Sequence, residues 1–126
     1  MADPDNDGFH ALKEPVGCIL WKEPERIESD RTGFFECLKT FDDDSHLTHH
    51  LLKCRECGQL YFYEFYEEID WDEGDDWQYW TYVPVTSPAE IEMMLKDPPL
   101  GILRFTPRLQ RDFPKGAKTP RLVWVK

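Results

Sequence analysis

Two cysteines near the middle of the chain have the spacing of metal ligands. Cys54 and Cys57 are separated by two residues, and Gly58 follows them directly. Two thiolates three positions apart on a tight turn can both reach one zinc ion at about 2.3 Å, and glycine tolerates the backbone conformation that such a turn needs. The pair therefore predicts half of a metal site, with a metal-free dithiol turn as the alternative.

A four-coordinate structural site needs two more ligands. The candidates are the two remaining thiols and a cluster of three imidazoles, namely Cys18, Cys37, His46, His49 and His50. Cys18 and Cys37 lie in strand-like runs that we expect to be adjacent, so four thiolates form one predicted site, and three thiolates with one imidazole form the other. Cys18 and Cys37 are alternatively core cysteines, since cysteine is among the most buried residue types.

The ten residues from Leu52 to Tyr61 resemble the knuckle of the zinc-ribbon families, in which Cys-x-x-Cys-Gly leads into an aromatic strand. The resemblance implies a zinc-ribbon-like turn that holds a structural zinc ion. A full ribbon has a second Cys-x-x-Cys knuckle, which this sequence lacks. Thioredoxin-like redox chemistry is disfavoured because the pair precedes an aromatic strand and not a helix N-terminus, which would stabilise a thiolate.

Downstream of the knuckle, carboxylates and aromatic rings crowd around one turn. Residues 56–95 contain eleven acidic side chains and no Lys or Arg. The aromatic runs 60–69 and 77–85 predict an antiparallel hairpin with an acidic tip. Carboxylates speed encounter with a basic protein and aromatic rings anchor the bound state, so we expect a docking surface here. The residues expected to bind the partner are Asp70, Trp71, Asp72, Glu73, Asp75, Asp76 and Trp77.

Calcium binding and catalysis fit the acidic aromatic segment less well than partner binding does. The plainest alternative is a core strand followed by a solvated turn. A calcium loop starting at Asp70 is disfavoured, because Gly74 and Thr81 stand where an EF-hand needs acidic ligands. The serines have no recognisable nucleophile motif around them, and we expect the histidine cluster to be a polar surface. Paired carboxylates leave a small hydrolase open, but the sequence predicts a binding protein and not an enzyme.

Charge narrows the class of partner. The net charge of the 126-residue chain is −10, although residues 96–126 hold eight basic and only two acidic side chains. An acidic surface disfavours nucleic acid and suits a basic protein. In size and charge the chain is similar to the immunity proteins that bacteria pair with basic nuclease toxins. No export signal and no membrane-spanning run is visible, so we expect a cytoplasmic protein with reduced cysteines.

These residues must be positioned by a fold that we predict to be α+β, with a mainly antiparallel sheet and one or two short helices. We expect a flexible arm at 1–14 and a single domain at 15–126. Ser87, Pro88 and Glu90 predict a helix start with a capping box, and the helix should end at 97–99. Strands are predicted at 16–21, 34–41, from 51 into the knuckle, 60–69, 77–85, 100–105 and 122–125. We expect the first two strands to pair, with a short helical turn at 46–50 and a basic loop at 106–120.

Overall fold

The computed structural model describes residues 10–29, 33–68, 77–113 and 121–126. In chain order its elements are β1 (His10–Ala11), α1 (Ile19–Lys22), α2 (Arg26–Ser29), β2 (Phe35–Asp43), β3 (Leu47–Cys54), β4 (Leu60–Glu68), β5 (Trp77–Val85), α3 (Pro88–Leu95), a 3-10 helix (Gly101–Arg104), β6 (Phe105–Thr106), β7 (Arg108–Phe113) and β8 (Arg121–Val125). Strands β2, β3, β4, β5, β7 and β8 form, in that order, an open antiparallel sheet. The short strands β1 and β6 pair in parallel.

The sheet is covered on both faces because successive side chains of a strand point to opposite sides. Tyr61 and Phe62 are neighbours on β4, and both are fully buried. Tyr61 belongs to a first core, which includes Leu20 of α1. Phe62 belongs to a second core with Met94 of α3 and Phe105. Full burial of a side chain of this size stabilises the fold by about 1.5–3 kcal/mol, so β4, one of the two middle strands of the sheet, contributes to both cores.

Several predicted elements are confirmed. The strands expected at 34–41, 60–69, 77–85 and 122–125 are present as β2, β4, β5 and β8, and β4 pairs with β5 throughout as the predicted hairpin. The helix α3 begins at Pro88, where the backbone N–H of Glu90 donates to Ser87 Oγ. The carboxylate of Glu90 accepts from the backbone N–H of Thr86, one residue earlier than in a standard capping box.

Other predicted elements are wrong. The apolar run at 16–21 contains the helix α1, so it cannot pair with β2, which instead pairs with β3. Residues 47–50 are strand and not helix, because the register of β3 against β4 places His49 beside Glu64 and His50 beside Tyr63. The strand expected at 100–105 is mainly a 3-10 helix. Short apolar runs fit either helix or strand, so tertiary pairing decided these segments.

The basic stretch 106–120 is not simply a loop, because its first part forms β7. Charged side chains made the segment resemble a loop, but several of these charges have partners. The guanidinium of Arg111 lies 4.5 Å from the ring centre of Trp80, and Arg108 Nη1 donates to the carbonyl of Leu103 at 2.8 Å. Leu109, between these two arginines in β7, is fully buried. Residues 114–120 lie outside the described part of the chain, as do residues 1–9 of the predicted arm.

The strand register places the knuckle and the residues that flank the predicted acidic tip at opposite ends of β4. Leu60 begins β4 directly after the knuckle turn, whereas Glu68 at the other end pairs with Trp77. Nine residues of extended strand span roughly 30 Å. The turn between β2 and β3 lies at the same end as Glu68, since Leu47 pairs with Tyr66. The knuckle turn therefore lies at the opposite end of the sheet from the turn between β2 and β3.

Candidate metal centre

The turn that joins β3 to β4 is tight and carries both cysteines of the Cys-x-x-Cys pair. The N–H of Gly58 donates to the carbonyl of Cys54 at 2.9 Å, and the N–H of Cys54 donates to the carbonyl of Gln59 at 2.9 Å. Gly58 has φ of +81°, in the left-handed region that favours glycine. The predicted reason for a glycine after the second cysteine is thereby confirmed. The backbone itself holds Cys54 and Cys57 on one tight loop.

The third thiol comes from the N-terminal end of α1. Cys18 is the residue that precedes this helix, and its backbone N–H donates to the carbonyl of Pro15 at 2.9 Å. The helix is fixed to the sheet by the indole of Trp124, whose Nε1 donates to the Leu20 carbonyl at 2.6 Å. Trp21 also packs edge-on against Trp124, with ring centres 4.9 Å apart. These contacts bring a residue 36 positions before Cys54 in the sequence to the knuckle.

Cys18, Cys54 and Cys57 form a compact cluster in which the Sγ atoms all lie within 4.8 Å of one another. In a tetrahedral zinc site with Zn–S bonds of about 2.3 Å, sulfur atoms are separated by roughly 3.8 Å. The observed separation therefore needs a closure of at most about 1 Å on metal binding. Cys18 and Cys54 are buried, and Cys57 is exposed. All four cysteines of the chain are free thiols, so the donor set suits a borderline-soft cation such as zinc.

The surroundings of the cluster are apolar on one side. Burial raises the pKa of the Cys18 thiol to about 12. Burial also raises the pKa of Tyr61 well above its usual range, with the adjacent Cys18 thiol as a further cause. The Tyr61 hydroxyl is buried, and no described residue satisfies it with a hydrogen bond of normal geometry. A buried hydroxyl beside three sulfur atoms is a donor available to a thiolate once a cation has displaced the thiol protons.

Comparisons of the chain with protein-family models, with curated proteins and with solved structures found no match. The interpretation of the site therefore depends on its own geometry.

The other side of the cluster opens onto solvent. A cavity of about 300 Å³ is lined by Gly17, Cys18, Cys57, Gly58 and Gln59. A Cβ atom at Gly17 would meet nothing within 4 Å, so the space in front of this residue is clear. Gln59 is held in place by donating from Nε2 to the carbonyls of Leu60 and Val85. Tyr61 and Gly17 were not predicted as site residues. Tyr61 follows the knuckle within the aromatic run, but only the fold brings Gly17 to the site.

Cys37 was expected among the metal ligands, but the structure places it elsewhere. Its Sγ lies 3.6 Å from Nδ1 of His50, at the edge of a separate cavity of about 240 Å³ with walls that include Tyr63 and Tyr82. Thr40 Oγ1 lies 3.0 Å from the same imidazole nitrogen. Burial lowers the pKa of His50, which leaves the ring neutral at pH 7. Cys37 is exposed and belongs to a thiol and imidazole pair, not to the three-sulfur cluster.

The other two clustered histidines are not metal ligands either. His46 Nδ1 lies 3.0 Å from the carboxylate of Glu67. His49 is buried, with Nδ1 2.7 Å from Asp42 Oδ2 and Nε2 2.8 Å from Glu64 Oε1. The three histidines were expected to form one polar surface cluster, but they lie in three different environments. Adjacent residues of β3 point to opposite faces of the sheet, so His49 is buried while His50 lies on the other face.

The predicted partner-binding residues lie almost wholly outside the described ranges. Residues 70–76 are not described, and for Trp77 only the backbone is described. The acidic side chains that are described at the same end of the sheet form what we call the acidic edge, consisting of Asp42, Asp43, Asp44 and Glu67. The first three are exposed, and the side chain of Glu67 is 17% exposed. Within the described ranges, no helix is both long and apolar enough to cross a membrane.

Proposed function

We propose that the chain is a metal-stabilised binding domain in which Cys18, Cys54 and Cys57 hold a structural zinc ion on a zinc-ribbon-like knuckle. The single observation that carries this proposal is the convergence of three thiols within 4.8 Å from two segments distant in sequence. The tight turn at Gly58 supports it as well, because the turn carries Cys54 and Cys57 with the two-residue spacing of zinc ligands.

The ion would tie α1 to the turn between β3 and β4. By itself α1 is a helix of four residues with little intrinsic stability, and it is held to the sheet by the buried side chain of Leu20 and by contacts with Trp124. Metal bound only by the folded chain adds its binding free energy to folding, so zinc would order this end of the molecule. The role proposed for the site is adaptor or regulatory binding and not catalysis. A reducing compartment such as the cytoplasm would keep the thiols available to the metal.

The test is metal analysis of the full chain purified without chelators. We expect one zinc per chain, and we expect Cys54→Ser and Cys57→Ser to lose it. Cys37→Ser is the matched control, since this thiol pairs with His50 and should leave the zinc content unchanged. Chelation should also lower the midpoint of thermal unfolding. Absence of metal after reconstitution with excess zinc, or loss of zinc in the Cys37→Ser control, would refute the proposal.

A second candidate function concerns the opposite end of the sheet, where the chain would dock a basic protein in the manner of an immunity protein. The observation that favours it is the acidic edge, whose exposed carboxylates Asp43 and Asp44 lie at the same end of the sheet as the flanks of the predicted acidic tip. Clustered negative charge raises the encounter rate with a cationic partner and makes that rate salt-dependent. Rings that are buried in the core, such as Tyr61 and Phe62, take no part in this surface.

The test is co-purification of the chain with a cationic protein at low salt. We expect reversal of three tip charges, Asp72→Lys with Asp75→Lys and Asp76→Lys, to abolish it. The matched control reverses three exposed acids far from the tip in sequence, at positions 14, 23 and 25, and should retain the partner. Binding that is insensitive to both salt and tip reversal would exclude this function. A gene for a basic toxin beside this one would identify the partner to test first.

A further inference from the structure

We propose that the metal held by Cys18, Cys54 and Cys57 takes its fourth ligand from outside the chain, as a sulfur or nitrogen donor that enters through the cavity at Gly17. This inference rests on the proposed metal site and specifies what that site would bind. A site with three protein ligands and one open position differs from a closed structural site, because the open position can exchange its ligand.

The chain has no further cysteine or histidine that is placed to act as the fourth ligand. All four cysteines and all four histidines lie in described parts of the chain. Each residue outside the cluster is placed elsewhere: His10 stacks on Phe105, His46 contacts Glu67, His49 lies between Asp42 and Glu64, and Cys37 contacts His50. The positions of these residues therefore exclude a fourth thiolate or an imidazole from the same chain as the fourth ligand.

The cluster is accessible to an external ligand from one side. Two of the three sulfur ligands, Cys18 and Cys57, line the cavity of about 300 Å³, and glycines form part of its wall. A volume of this size admits an imidazole ring or a small thiol. The buried side of the cluster is occupied by the fully buried side chain of Tyr61. The remaining tetrahedral direction thus faces the cavity.

The three sulfur ligands restrict the chemical class of the fourth donor. Three thiolates on a divalent cation favour a soft or borderline fourth ligand, as in the common structural sites in which a fourth thiolate or an imidazole completes the tetrahedron. A histidine or cysteine side chain from another protein and a free small thiol share this chemistry. Gly17 allows a test of the entry path, since its φ is not in the left-handed region and a larger side chain there meets open space. Gly58 offers no such position, because a side chain at φ +81° would strain the backbone.

The experiment uses the full chain loaded with Co²⁺, whose visible absorption reports the number and type of ligands. Imidazole and 2-mercaptoethanol are titrated separately, and bound cobalt is measured after each titration. We expect a saturable spectral change with at least one donor and no loss of cobalt. Gly17→Leu should weaken that response by about tenfold through steric filling of the entrance, and Cys37→Ser should leave it unchanged.

The outcomes separate the two proposals. One cobalt per chain with a spectrum that neither donor alters would overturn the open position and leave the metal site intact. A response that is identical in Gly17→Leu would overturn the entry path. If the donors strip the cobalt, the site does not hold a fourth ligand from outside. If no cobalt binds at all, the proposed metal site fails and this inference fails with it.

Discussion

The removal of His49 should expose how much the fold depends on one buried ion pair. Both ring nitrogens of His49 face carboxylate oxygens, Asp42 at 2.7 Å and Glu64 at 2.8 Å, and this arrangement favours the doubly protonated, positively charged ring. Burial alone would lower the pKa of His49, but the hydrogen bonds and charges of Glu64 and Asp42 outweigh it and raise the pKa. Glu64 is only 2% exposed, and its second oxygen accepts from the backbone N–H of Leu100 at 3.1 Å.

In His49→Leu the carboxylate of Glu64 remains buried without its cation. Breaking a buried pair in this way costs about 3–5 kcal/mol, a large share of the roughly 5–15 kcal/mol that stabilises a domain. Glu64→Gln in the same chain removes the charge and keeps an oxygen for Leu100. The double variant should therefore recover at least about 1–2 kcal/mol of the loss. Asp42→Asn should cost less than about 1 kcal/mol, because the Asp42 side chain is 52% exposed.

The assay is urea unfolding at pH 6 and pH 8, followed by tryptophan fluorescence. A raised pKa in the folded state means that the contribution of the His49 proton is complete below about pH 6.5 and is lost as the pH rises through the folded-state pKa. The wild-type chain should therefore be less stable at pH 8 than at pH 6, and the variant should not show this difference. The reasoning is refuted if His49→Leu costs less than about 1 kcal/mol at pH 6, or if the double variant is no more stable than the single one.

Three further predictions follow from the described contacts. In NMR titrations, His49 should titrate above its ordinary pKa and His50 below it, and the reverse order would contradict the assigned environments. Ser87→Ala should lower the free energy of unfolding by about 0.5–1 kcal/mol in urea, since the N-cap bond to Glu90 is long at 3.4 Å, and no change would show that the cap is not stabilising. Zinc loading should protect the two knuckle thiols from alkylation, as mapped by mass spectrometry, while Cys37 reacts at the same rate with and without metal.

The sequence alone was sufficient to predict an element where the local preference of its residues agrees with its tertiary pairing. The aromatic runs around Tyr61 and Trp80 have strong strand propensity, so β4 and β5 were predictable. Ser87 and Pro88 define a helix start through hydrogen bonding and a fixed φ, which act within one turn. The knuckle at Cys54 and Cys57 was predictable for the same reason, because its geometry is contained in five residues.

Tertiary structure decided which distant residues complete each site. In the sequence both Cys18 and Cys37 were candidates for the third thiol, but the docking of α1 by Trp124 brings Cys18 to the knuckle, whereas β2 presents Cys37 to His50. The three neighbouring histidines look equivalent in sequence, and only the register of β3 against β4 buries His49 beside Glu64. Local chemistry acts over a few residues and can be read from the sequence. Sheet register and helix docking follow from the packing of the whole chain, and they alone determine which side chains meet.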